Sequence, residues 1–253
     1  MPIDKDWAWG GASGRGITVA VVDSGIDASH PAVGVVDRAV ALHWDGDADD
    51  VAIAEGPHED LFGHGTACAG IIRRVAPDAT LWSVRVLGSR LTGKGVVFAA
   101  GLRWAISTGA QVINLSLSTR REDYFSLFHQ IADEAAFAGV VLVCAANNVP
   151  APTYPSQFSS VISVAAHDGQ DPFCIDANPA PPTDFGAPGI ELEVPWLSGT
   201  TITSTGNSFA APHVTGLVAR LLSKHRHLTP YEVKTVLRAV ASNAVRKGAA
   251  DGD

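Results

Sequence analysis

Five stretches of this 253-residue chain, at positions 17–22, 81–87, 112–117, 140–144 and 161–165, are almost unbroken runs of apolar, largely β-branched residues. A strand wetted on one face alternates polar with apolar; a run that is apolar throughout is covered on both faces, which predicts strands of a parallel sheet. The segments between them change period. Residues 95–108 bring Phe98, Leu102, Ala105 and Ile106 to one side, and residues 124–138 do the same with Leu127, Phe128, Ile131 and Ala135, the stripe of a helix with one buried face. His64 opens another apolar helical stretch. Ser208 opens a further one that runs from Phe209 to Leu222, with Pro212 in its first turn, where a missing N–H costs little. The alternation predicts an α/β fold of three layers, a mostly parallel central sheet with helices on both faces. Sites in such sheets lie beyond the carboxyl ends of the strands, and Asp23 directly follows the first run.

Composition narrows the class. With 46% hydrophobic residues the chain buries a large core, and nothing in it reads as a linker or repeat, so a single domain is expected over 1–253, its core at about 16–245 and a disordered tail at 246–253. A formal charge of −8 argues against a nucleic-acid partner, which calls for a basic surface, and weakly favours basic peptides. No apolar run is long enough to span a membrane, and the first seven residues lack the basic start and apolar stretch of a signal peptide. A cytoplasmic protein is expected, although a trimmed secreted form reads the same. Cys68, Cys144 and Cys174 cannot all pair within the chain and show no metal-ligand spacing, so they read as free thiols.

Three segments carry chemistry: VVDSGID around Asp23, GHGTACAG around His64 and GNSFAAPHVTG around Ser208. A serine hydroxyl becomes a useful nucleophile when an imidazole accepts its proton and a carboxylate fixes the tautomer of that imidazole. Each residue alone has a plainer reading: Ser208 as a helix N-cap, Asp23 as a turn residue, His64 as a structural histidine between two glycines. The order acid, base, nucleophile distinguishes among the known serine hydrolase layouts, and Gly206-Asn207-Ser208-Phe209-Ala210 lacks the second glycine of the G-x-S-x-G elbow.

On these motifs, from about residue 16 to 240, the chain resembles the subtilisin-like serine protease family. The resemblance implies peptide-bond hydrolysis, with Asp23, His64 and Ser208 as triad and peptide or protein as substrate. Asn148 is the implied oxyanion donor beside the Ser208 backbone N–H, with Asn147, which stands where the family has glycine, as competitor. The implied peptide-binding segments are Leu91-Thr92-Gly93 and Ser116-Leu117-Ser118. Ser118 and Thr153 replace glycines on the pocket wall and Asn147 narrows the same pocket, so small P1 side chains are expected. Cys68 resembles the cysteine beneath the catalytic histidine in a thiol-bearing subgroup, which implies sensitivity to mercurials; a small buried hydrophobe is the alternative. His30 and His213 recur in the family as structural residues, and His225 and His227 read as surface residues at a helix end. No cofactor is expected. Between Gly70 and Ala76 the chain is too short for the family's high-affinity calcium loop, while Asp45, Asp47 and Asp49 offer a weak cation site that lacks the glycine and glutamate of an EF-hand, or else a solvated acidic loop. The chain begins close ahead of its first catalytic strand, so folding without a prodomain, or its prior removal, is expected. A dedicated precursor-processing role is the favoured biological reading; a catalytically silent peptide-binding protein is the alternative, prompted by Asn147, Asn207 and Ser118.

Overall fold

The computed structural model describes residues 3–149, 151–178 and 180–244. The tail expected at 246–253 lies outside the described residues. In chain order the elements are α1 (Lys5–Trp9), β1 (Thr18–Asp23), β2 (Arg38–Asp45), β3 (Asp50–Glu55), α2 (His64–Val75), β4 (Thr80–Arg85), α3 (Gly95–Thr108), β5 (Val112–Leu115), α4 (Phe125–Phe137), β6 (Val141–Ala145), β7 (Ile162–His167), β8 (Asp176–Ala177), β9 (Phe185–Pro188), β10 (Leu192–Pro195), β11 (Thr201–Ser204), α5 (Asn207–Lys224) and α6 (Pro230–Val240). The expected three-layer α/β architecture is present.

A nine-stranded sheet runs in the order β3-β2-β4-β1-β5-β6-β7-β9-β8. Its interior pairs are parallel, and an antiparallel strand closes each edge. The five apolar runs are β1, β4, β5, β6 and β7, and β5 and β6 are buried at every position. One face is covered by α3 and α4, with Phe98, Leu102, Ala105, Phe128, Ile131 and Ala135 all buried and Ile106 and Leu127 packed at the margin. The other face carries α2 and α5, with α1 and α6 outside them.

The order reverses at β1, with β4 on one side and β5 on the other. That switch leaves a crevice at the carboxyl end of β1, where Asp23 stands. Among the described residues no helix is long and apolar enough to cross a membrane.

Two expectations need correction. The core begins before residue 16, because Ala8 and Trp9 of α1 are buried against it. His225 is more than a surface residue: its ring stacks on Trp7 at 4.0 Å and its Nε2 lies 2.8 Å from the Trp7 carbonyl, fastening the C-terminal end of α5 to α1. A contact between residues 218 apart leaves no local trace in sequence.

His213 sits inside α5, 2% exposed, and among the described residues neither ring nitrogen meets a hydrogen-bond partner. Burial, helped by the charge of Arg74, pushes its pKa down to about 4. Folding therefore favours the neutral ring, a contribution intact above the unfolded value near 6.5 and lost as pH falls from there towards 4. In urea unfolding, moving from pH 7.5 to pH 5 should cost the wild type about 2 kcal/mol more than it costs His213→Leu. Equal losses would show that the histidine is not the group being titrated.

Candidate functional site

The site is built where α2 begins against the end of β1. Asp23, the last residue of β1, is fully buried, and its carbonyl accepts the N–H groups of Val86 and Leu87 at 2.9 and 3.2 Å. His64 is the first residue of α2, and its Nδ1–H lies 2.9 Å from both carboxylate oxygens of Asp23. This contact requires a close backbone approach. A Cβ on Gly65 would lie 2.0 Å from the carbonyl oxygen of Gly25, so only glycine lets the helix come this near.

Asp60, which sequence reasoning missed, organises the approach. Buried beside His64, its Oδ1 accepts the N–H groups of Phe62 and Gly63 and the Ser24 hydroxyl, while its Oδ2 accepts the N–H and hydroxyl of Thr66. One carboxylate thus satisfies free donors at the start of α2 and anchors the loop after Asp23. The bond from the Phe62 N–H is an Asx turn, the one local signal that pointed to it.

Ser208 is the second residue of α5, so Pro212 lies in the second turn rather than the first. There it removes the donor that would have bonded the Ser208 carbonyl four residues back. Ser116 supplies the replacement: its hydroxyl donates to that carbonyl at 2.8 Å and accepts from Asn114 Nδ2 at 3.1 Å, and Asn114 Oδ1 accepts from Thr215 at 2.9 Å. The Cys68 thiol touches two of these parties and Asp23, lying 3.3 Å from Ser116 Oγ, 3.6 Å from the Ser208 carbonyl and 3.9 Å from Asp23 Oδ2. Burial first, and then the charge of Asp23, hold the Cys68 thiol well above its ordinary pKa, so it stays protonated.

The His64 ring lies 5.5 Å from that of Phe209, which places the imidazole beside the turn carrying Ser208. Among the described residues Ser208 Oγ makes no hydrogen bond; catalytic contacts of this kind tighten when substrate is bound. Burial disfavours charge on His64, yet the Asp23 carboxylate outweighs it through charge and hydrogen bond, and the pKa is raised above the usual 6.5.

Asn148 follows β6 and is exposed; its Oδ1 accepts the Asn207 N–H at 2.9 Å, and its Nδ2 makes no hydrogen bond among the described residues. The six expected peptide-binding residues, Leu91, Thr92, Gly93, Ser116, Leu117 and Ser118, line one groove of about 740 Å³. Asn147 and Thr153 lie outside its lining. The Thr153 hydroxyl is buried 2.6 Å from that of Ser156, and the neighbouring Tyr154 exchanges backbone hydrogen bonds with Thr119. The groove's charged lining residues are Lys94 and Arg121, and Arg121 is paired with Asp123 at 2.9 Å.

Asp45, Asp47 and Asp49 fall at the β2–β3 hairpin, where Asp45 accepts the N–H groups of Asp47 and Ala48. Among the described residues, the one group of three metal-ligating side chains that converges is Asp23, His64 and Cys68. His30 is held through both ring nitrogens, to the Thr200 carbonyl and the Ala32 N–H, as a structural residue would be.

The sequence profile described as "Subtilase family" matches residues 14–252. Subtilisin E of Bacillus subtilis (strain 168) is 32% identical over 92% of the chain, which spans 62% of that relative's length. Subtilisin of Bacillus pumilus is also 32% identical, with 92% and 86% covered, and thermitase of Thermoactinomyces vulgaris is 33% identical, with 88% and 81% covered. The crystal structure of a cold adapted subtilisin-like serine proteinase superposes with a TM-score of 0.71 at 25% identity, over 92% of this chain and 86% of its own.

The Ser116–Ser208 contact has a testable signature. Ser116→Ala leaves a part-buried carbonyl without its hydroxyl partner and should lower unfolding free energy by about 1–3 kcal/mol. Pro212→Ala restores the helical N–H, so in that background the same substitution should cost about 1 kcal/mol less. Strict additivity in denaturant titrations would refute the compensation.

Proposed function

The chain belongs to the subtilase family, and on that premise we propose that it is a serine endopeptidase acting on peptides or proteins. Ser208 attacks the scissile carbonyl, His64 takes the hydroxyl proton and later returns it to the leaving amine, and Asp23 holds the ring with Nδ1 protonated. The Ser208 backbone N–H, at the start of α5, and Asn148 Nδ2 bind the oxyanion of the tetrahedral intermediate. Water then releases the acyl-enzyme with His64 as general base. The observation that carries this reading is the buried Asp23–His64 pair, 2.9 Å apart, set beside the helix start that bears Ser208.

A fluorophosphonate should label the wild type and not Ser208→Ala, and the substitution should cost about a millionfold in kcat, the scale for losing such a nucleophile. Because the pKa of His64 is raised, labelling should fall as pH drops, with a midpoint above 6.5. A wild type that resists the reagent at every pH would instead favour a silent peptide-binding protein.

The finer reading is a processing protease with a shallow S1 site, narrowed by Ser118, Thr153 and Asn147, and a long upstream groove that carries more of the selectivity. Its location is read as cytoplasmic. Mass-spectrometric mapping of cuts in a proteome-derived peptide library should return small P1 residues and few sites. Abundant cuts after large aromatic residues would overturn it.

A further inference from the structure

Asn207, the residue before Ser208, uses all its polar groups apart from its helical carbonyl to tie three segments together. Its backbone N–H donates to Asn148 Oδ1 at 2.9 Å, and its side-chain Oδ1 accepts the Ala166 N–H at 2.8 Å. Its Nδ2 donates to the carbonyls of Ala146 and Asn147, both at 3.1 Å. The start of α5, the end of β7 and the loop after β6 therefore meet on one amide.

The loop after β6 needs such a tie. Asn148 is exposed, and Asn147 beside it leaves Nδ2 buried without a partner among the described residues. A donor to an oxyanion contributes only if it waits at hydrogen-bonding distance before charge develops, so a loop that wanders forfeits most of the benefit. Holding the carbonyls of residues 146 and 147 places the backbone of 148. Occupying Asn148 Oδ1 then settles which end of that amide is free to donate.

We infer that Asn207 is the positioning residue of the oxyanion site, acting through Asn148 and without contact with substrate. The inference rests on the proposed roles of Ser208 and Asn148. It also gives a reason for two asparagines beside the site: Asn207 bonds the carbonyl of Asn147, so two of the three residues that prompted a silent reading are parts of one clamp.

Asn207→Asp is the informative change. It keeps the shape and the bond from Ala166 but turns an acceptor towards two carbonyls. Asn207→Ser loses the same two donated bonds without adding charge and is read in parallel. On a peptide amide substrate both should lower kcat by about 10–100-fold with KM within about twofold, somewhat less than removal of the donor itself. Affinity for a peptide boronate, which forms a tetrahedral adduct on the serine, should fall in step with kcat.

In an Asn148→Ala background the loss from either substitution should shrink below about threefold, because the group being positioned is gone. Equal losses in the two backgrounds, or a loss confined to KM, would overturn the positioning role. If Asn148→Ala leaves kcat unchanged, or Ser208→Ala still turns over, the underlying assignment fails instead, and those two arms do not involve Asn207.

Discussion

The whole site depends on how closely the first turn of α2 approaches the end of β1. Asp23 is buried completely, and a carboxylate out of water is tolerable only when bonded and paired. The Ser24 N–H and His64 Nδ1 meet that demand, and the second partner arrives only because Gly65 has no side chain to hold the helix off Gly25. Asp60 makes the same approach favourable from the other side. It gathers five donors from the loop and the helix start, and hydrogen bonds to a charged group contribute about 1.5–3 kcal/mol each. Two buried acids therefore divide the work: one polarises the imidazole, the other fixes the backbone that presents it.

A second constraint comes from α5, which runs buried under the sheet and bears Ser208 at its exposed end. Pro212 frees the Ser208 carbonyl from the helical ladder, and the Ser116–Asn114–Thr215 chain takes it up. The start of the helix is thereby bonded to β5 across the core, and β5 continues into the Ser116-Leu117-Ser118 wall of the groove. The position of the candidate nucleophile and that of the groove wall are thus set by one hydroxyl.

Strands covered on both faces were legible because their apolar runs are continuous: β1 and β4 to β7 lie within a residue or two of where the pattern put them, and α3 was legible from its one-sided apolar stripe. The β2–β3 hairpin was not, since its strands are half exposed and Asp45 to Asp50, which form its turn, read as a solvated acidic loop or a weak cation site. Strands β8 to β11 are four residues or fewer and too short for a period to emerge. Helix α6 did carry a local signature, Thr229-Pro-Tyr-Glu232, a capping box with proline at its first position that went unread. The three candidate reacting groups were legible as motifs. Asp60, Asn207 and the tie between Ser116 and Pro212 were not, because each acts through a backbone group whose location only the folded chain defines.

Charge illustrates the same division between what composition reveals and what folding decides. The chain carries a formal charge of −8, yet the charged residues that line the groove are Lys94, with Nζ 3.9 Å above the ring centre of Trp44, and Arg121, paired at 2.9 Å with Asp123. At physiological salt, fields decay over about 8 Å, so the field inside the groove is set by Lys94, by the Arg121–Asp123 pair and by the lining rings of Trp44, Phe98 and Tyr124 more than by distant acids. The net charge governs how the molecule meets its surroundings as a whole. The groups that line the groove set its local field, which the net charge does not reveal.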